Sequence, residues 1–155
     1  MDATALARSL LDPIPAHRTV GLEVVRAVNG LGVVAVTAPP ALANVIGSLH
    51  SSGLVTLVDA AGLAAIISAC PTGEAFQGVV PLGAAATLRF LAPARGRLTA
   101  TCRIDPDDRE ALAEVFIGVA TRVRVTTTTD ITDGTGAVVC QGSFDWSVRR
   151  TPGAA

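Results

Sequence analysis

Apolar and polar positions change their period several times along the chain, and each change marks an element. Residues 3–11 read as a short helix, stopped by the Asp12-Pro13 and Ile14-Pro15 steps. Val20, Leu22, Val24 and Val28 then alternate as a strand. Asn29-Gly30 is a hairpin turn signal, because both residues tolerate positive φ, and residues 32–37 return as a second strand. Pro39 and Pro40 stop it, and an irregular loop runs to about His50. Beyond Ser51 or Ser52 the alternation is lost. As far as Ala69 the chain is rich in Leu and Ala and apolar almost all round, which predicts a helix that protein must surround on nearly every side. Pro71 and Gly73 end it.

The remainder is mainly strand. Residues 75–91 form one long strand with a bulge expected near Pro81 and Gly83. Residues 97–104 alternate cleanly, with Leu98, Ala100, Cys102 and Ile104 against Arg97, Thr99, Thr101 and Arg103. Asp105-Pro106-Asp107-Asp108 starts a short helix over about 106–117, with a capping residue, a proline at the first position and acids in the first turn. The last two strands are 121–132 and 137–149, joined by Asp133-Gly134-Thr135-Gly136, and the tail 151–155 is expected to fray. The order predicts an α+β fold in a single domain, 1–155. An antiparallel sheet must bury one face, and the all-apolar helix is the object to bury there. The expected architecture is a sheet of five to six strands wrapped around one long central helix.

Composition refines this picture. Half the residues are apolar but only 3% are aromatic, so Val, Ala and Leu must fill the core. The net charge is −1, which argues against a nucleic-acid partner. Cys70, Cys102 and Cys140 are far apart in apolar surroundings, as reduced buried thiols of a cytoplasmic protein would be. The first residues lack the basic and apolar runs of a signal peptide. The most apolar stretch, 53–69, is shorter than a typical membrane span and carries Asp59 in its middle, so it reads as a core helix and no membrane partner is expected. His, Cys and acids are not clustered as metal ligands, and neither a glycine-rich phosphate loop nor a G-x-S-x-G elbow occurs, so no metal or cofactor is expected.

One acid stands out. Asp59 is alone in the apolar helix, and burying an unpaired charge is costly. Helical spacing sets Ser52, Thr56, Asp59 and Gly62 on one small, polar stripe that could face a cavity. A carboxylate there could act as a general base on water or attack a carbonyl directly. His50 lies just before the helix, where amides are free and the dipole is positive, so the Ser51 and Ser52 amides could hold an oxyanion. Asn44 could orient a water or bond its own loop. Structural roles also fit: a local hydrogen-bond network for Asp59, a turn contact for His50, close packing for the small residues. His17 is assigned no role.

The segment from Asn44 through His50-Ser51-Ser52 to Asp59 resembles the signature of hotdog-fold acyl-CoA thioesterases of the phenylacetate-pathway type. That signature has an Asn, a His six positions later followed by small residues, and an acid nine beyond the His. Thr87-Leu88-Arg89-Phe90-Leu91-Ala92-Pro93-Ala94 is similar to the family's next landmark, and the helix at 106–117 is similar to an insertion in a less characterised bacterial branch. The resemblance spans roughly residues 18–148. It implies a hotdog fold and hydrolysis of an acyl thioester of coenzyme A or an acyl carrier protein, with coenzyme A as part of the substrate rather than a cofactor. It implies catalytic roles for Asp59, His50 and Asn44 and substrate contacts from Ser51, Ser52 and Thr56. It also implies a homodimer or dimer of dimers, in which the 44–50 loop of one subunit faces Asp59 of another. Two departures matter. Ser51-Ser52 replaces a frequent glycine pair, and Gly83-Ala84-Ala85 stands where many members carry Ser, Thr or Asp. These keep open a non-catalytic acyl-binding or regulatory domain, or a dehydratase-type enzyme. Arg89, Arg95, Arg97, Arg122 and Arg124 are candidates for the phosphates of coenzyme A.

Overall fold

In the computed structural model, which describes residues 1–153, the chain runs α1 (Ala3–Leu11), α2 (Pro15–Val20), β1 (Glu23–Val28), β2 (Leu31–Thr37), α3 (Ser51–Ser68), α4 (Gly73–Phe76), β3 (Val79–Phe90), β4 (Arg97–Arg103), α5 (Pro106–Phe116), β5 (Arg122–Thr132) and β6 (Val138–Arg150). The strands form one six-stranded sheet, ordered β1-β2-β4-β5-β6-β3 and antiparallel at every pairing. Helix α3 touches all six strands. A sheet wrapped around one long apolar helix is the hotdog fold, as expected. Ala154 and Ala155, the end of the tail expected to fray, lie outside the described residues.

Turn chemistry explains the first hairpin. Asn29 and Gly30 take φ of 48° and 81°, both positive as a tight two-residue turn requires. The Gly30 amide donates to Ser68 Oγ at 2.9 Å, and Ser68 itself donates to carbonyls, so a buried hydroxyl ties the turn to the end of α3. Beneath the turn α3 lies very close to the sheet. A Cβ on Gly32 would fall 2.3 Å from the Ala61 carbonyl oxygen and 2.5 Å from the Ala65 amide nitrogen. On the far strands Gly142 faces Val58, while Gly62 of the helix faces Thr127 and Trp146.

The helix is one on which every side but one meets protein. It is the only element among the described residues long and apolar enough to cross a membrane, and 67% of it is buried inside the protein. Val34, Val36, Leu98, Ala100, Cys102, Val125, Ile131, Cys140, Trp146 and Val148 form the sheet's side of the core. Thr127 and Thr129 are also fully buried. The Thr127 hydroxyl accepts the Trp146 indole N–H at 2.8 Å, whereas Thr129 Oγ1 has no partner and sits opposite Cys102 in the strand register. Burial pushes the Cys102 thiol up to about 11, and the nearby polar threonines offset only part of that rise. All three cysteines are free and buried.

Three local readings need correction. Val20 belongs to the short helix α2 rather than to a strand, because Pro15 at its first position and Gly21 at φ 71° start and stop one turn and a half of helix. A further short helix, α4, precedes β3, and the bulge in β3 falls between Gly83 and Ala85. Asp105 precedes α5 but its side chain makes no capping bond. The free edge of β5 beside α5 is instead met by Asp108, which accepts the Thr126 amide at 3.2 Å. At the other end of α5, the Arg150 guanidinium donates to the carbonyls of Val115, Phe116 and Ala75, adding charged donors at helix ends where intrahelical partners run out.

Candidate functional site

The loop leading into α3 is built by its own polar groups. Asn44 Oδ1 accepts the amides of Ile46 and Ser48 at 3.1 and 3.0 Å, closing residues 44–48 into a tight turn. Ser48 Oγ accepts the Ala94 amide at 2.8 Å, and the Leu49 amide donates to the Ala94 carbonyl at 2.8 Å, so the loop is pinned to the segment after β3. Between loop and segment lies an open cavity of about 490 Å³ lined by Asn44, His50, Ser51, Leu54, Phe90 and Leu91, among others. Asn44 therefore holds the loop through its oxygen, and its side-chain N–H groups remain for other partners.

His50 is the residue that caps α3. Its Nδ1 accepts the Ser52 amide at 3.1 Å and lies 2.7 Å from Ser52 Oγ. An Nδ1 that accepts has no proton, so neutral His50 carries its proton on Nε2. That N–H stays free at the cavity. The capping bond also changes which backbone amides are open. Ser52 N–H is taken by His50, and the Gly53 and Leu54 amides donate to the His50 carbonyl. Ser51 N–H is the first-turn amide without a partner among the described residues. Of the two amides expected to hold an oxyanion, one is thus occupied. The Thr56 hydroxyl is likewise committed, donating to the Ser52 carbonyl at 2.9 Å. Ser52 and Thr56 line a separate small cavity of about 190 Å³ against Ala16, Thr19, Val20 and Leu42.

Asp59 lies two turns further along α3, outside the cavity at the loop. Its side chain is 31% exposed, so it is neither fully buried nor isolated as the apolar sequence around it suggests. Facing it is His17, only 3% exposed, with Nε2 3.9 Å from Asp59 Oδ2. The other ring nitrogen, Nδ1, bonds the Leu11 carbonyl at 2.9 Å. That carbonyl, at the end of α1, also accepts the Ile14 amide at 3.2 Å, so His17 is its second donor. Pro15 and Gly21 bound the short helix that aims the imidazole, and α1 and α2 both pack on α3. His17 is the residue that sequence reasoning missed. Only its being one of two histidines marked it. Gly62, expected on the same stripe as Asp59, instead turns towards the sheet against Thr127 and Trp146.

Within one chain, then, Asn44, His50 and Ser51 share a cavity, Ser52 and Thr56 share another, and Asp59 pairs with His17. The candidate arginines are dispersed. Arg97 pairs with Glu23 at 2.8 Å, Arg95 donates to the Ile46 carbonyl at the cavity, and Arg124 lies on the outer face of the sheet beside Asp108 and Asp145. Among the described residues, no three His, Cys, Asp or Glu side chains group as a metal site needs.

The architecture has many solved counterparts. PA5026 of Pseudomonas aeruginosa, a protein of unknown function described as a probable thioesterase, is 25% identical, with 96% of each chain covered and a TM-score of 0.78. The PaaI protein of the E. coli phenylacetic acid degradation operon is 19% identical over 98% of this chain and 95% of its own, with a TM-score of 0.72. A thioesterase family protein of Silicibacter pomeroyi is 16% identical over 96% and 99%, with a TM-score of 0.75. These neighbours define the class: hotdog proteins of the thioesterase family. No curated protein matches the chain. Residues 3–148 match the family described as "Domain of unknown function (DUF4442)", and the chain belongs to that family.

Proposed function

We propose that this protein hydrolyses an acyl thioester of coenzyme A or an acyl carrier protein, with Asp59 as general base or nucleophile. The observation that carries the reading is a partly open carboxylate on an apolar core helix whose capped N-terminus presents a free amide beside an imidazole N–H. Ser51 N–H and His50 Nε2–H would donate to the thioester oxygen and strengthen as it gains charge. Asp59 takes a proton from the attacking water, the C–S bond breaks, and that proton passes to the departing thiolate. As nucleophile, Asp59 would instead form an anhydride that water then opens.

His50 and Asp59 are nine residues apart, about 13 Å along a helix, so one carbonyl cannot meet both in a single chain. A second copy supplies the missing half in our reading, as a homodimer or dimer of dimers. Support comes from β3. Among the described residues it pairs only with β6, and its free edge adjoins exposed Leu82, Phe90 and Leu91, an apolar edge that proteins rarely leave uncovered. Cytoplasmic residence, with neither membrane nor nucleic acid as partner, fits free thiols and near-zero net charge. One feature favours a second reading, acyl binding without turnover: Gly83, Ala84 and Ala85 place no polar side chain on β3 where many relatives of this type carry one.

The test is thiol release from short, long and aryl acyl-coenzyme A substrates, comparing the wild type with Asp59→Asn. The proposal expects turnover that falls by roughly a hundredfold or more in the mutant. Equal turnover in both removes Asp59 from the reaction. An enoyl product indicates a dehydratase, and binding without turnover indicates the second reading.

A further inference from the structure

We propose that His17 and Asp59 together hold the attacking water, which makes His17 a second, N-terminal arm of the site; this deepens the hydrolase reading and rests on it. The argument starts from hydrogen-bond accounting. His17 Nδ1 faces the Leu11 carbonyl at 2.9 Å, and a carbonyl can only accept, so Nδ1 carries the proton. Neutral His17 then presents a bare Nε2 lone pair to Asp59 Oδ2 across 3.9 Å. In that state two acceptors face each other across the gap, one of them on a buried imidazole. The smallest group able to donate to both is water.

The distance suits it. A water oxygen about 2.8 Å from each acceptor would span this gap with its two O–H bonds roughly 90° apart, near the natural angle of the molecule. Both protons of that water are engaged, and its oxygen lone pairs are left facing the open side of Asp59. Asp59 is the more open of the two, 31% exposed against 3% for His17. Attack then runs in the general-base mode. The water oxygen bonds to the carbonyl carbon, its O–H to Oδ2 breaks, and Asp59 keeps the proton until the C–S bond opens and the sulfur takes it. His17 keeps accepting the second hydrogen throughout and orients the oxygen. The structural role of His17 is to give the Leu11 carbonyl a second donor beside the Ile14 amide, and the test must separate the two.

His17→Asn does so, because an Asn N–H can still reach the Leu11 carbonyl while nothing reaches Asp59. The expected result is kcat lower by about 10- to 100-fold with KM changed less than about threefold, a melting temperature close to wild type, and partial recovery in His17→Gln, whose amide oxygen extends to the place of Nε2. Nitrogen-15 NMR of the two histidines gives a readout independent of turnover. His17 should show its proton on Nδ1, and its Nε2 signal should shift in Asp59→Asn. Full kcat in His17→Asn beside a dead Asp59→Asn overturns the water-holding role and leaves the hydrolase reading intact. Two protonated ring nitrogens on His17 at neutral pH also overturn it, because a direct ion pair leaves no acceptor for the water. A wild type inactive on every thioester overturns the hydrolase reading; the NMR signature then decides whether the paired acceptors exist without hydrolysis.

Discussion

Replacing Gly32 by alanine tests the placement of the core helix. In an ordinary strand this change is mildly favourable, by about 0.5–1 kcal/mol, because glycine loses more freedom on folding. Here the new methyl would meet the Ala61 carbonyl oxygen at 2.3 Å and the Ala65 amide nitrogen at 2.5 Å. These are backbone atoms of α3 and cannot rotate away. Relief requires α3 to back off the sheet by about 1 Å, which strains the tightly packed contacts along β2 and β4. Overpacking of this kind costs typically 1–3 kcal/mol and occasionally more, and a backbone clash belongs at the upper end. Against the small propensity gain, the net loss is about 2–3 kcal/mol. For a domain of this size that corresponds to a fall in melting temperature of roughly 4–12 °C. Thermal and urea unfolding followed by Trp146 fluorescence would measure it. Activity should fall with it, since a displacement of about 1 Å at catalytic groups can cost a hundredfold. A variant that melts within 2 °C of wild type (about half the smallest fall expected) would refute the claim that helix and sheet touch backbone to backbone.

Other outcomes are expected. Thr127→Val removes the acceptor of the buried Trp146 indole N–H, held at 2.8 Å, and should cost about 1–3 kcal/mol in urea unfolding. Asn44→Ala should lower kcat/KM at least about tenfold with little change in melting temperature, because the two amides it holds shape an exposed loop, whereas Asn44→Asp keeps the accepting oxygen and should keep the loop. Alkaline stability reports on Cys102. Its folded value, pushed up to about 11 from 9.0, means the folded state holds a proton that the unfolded chain gives up, so stability is full below about pH 9 and declines as pH rises towards 11. The chain contains neither Lys nor Tyr, so the other side chains of that window are the Cys70 and Cys140 thiols, which burial also pushes up, and urea unfolding between pH 8 and 11, a span chosen to bracket the thiol range, should show the decline in wild type and a smaller one in Cys102→Ala.

Legibility in the sequence followed the reach of the signals. Helix 3–11, the Asn29-Gly30 turn, the apolar core helix, the bulge near Gly83 and the inserted helix are marked by prolines, glycines and long single-period runs, whose information is local. Helix α2 has six residues ending in two β-branched ones, too short for a helical period to show, and Val20 merges with the alternation that follows. The loop residues were legible as a set because Asn44, His50 and Ser51 lie within eight positions. Which amide His50 would occupy was not, since that depends on a ring orientation. His17 and Asp59 are 42 positions apart and meet only through the packing of α1 and α2 on α3, and no periodicity carries such a pairing.

The segment before residue 23 gives the site a stability of its own. It is held by the buried Ala7, Leu11 and Val20, and by reciprocal bonds between the Thr4 hydroxyl and the Ala27 backbone. None of its residues is in the sheet, so it can detach in a local opening that leaves the six strands paired. Each opening carries His17 away from Asp59. The fraction of molecules competent at any instant would then follow the docking equilibrium of two short helices rather than the unfolding of the whole. Conditions too mild to melt the core, such as low denaturant or modest warming, would dim the proposed activity first at this joint, and amide exchange in α1 and α2 would rise in step.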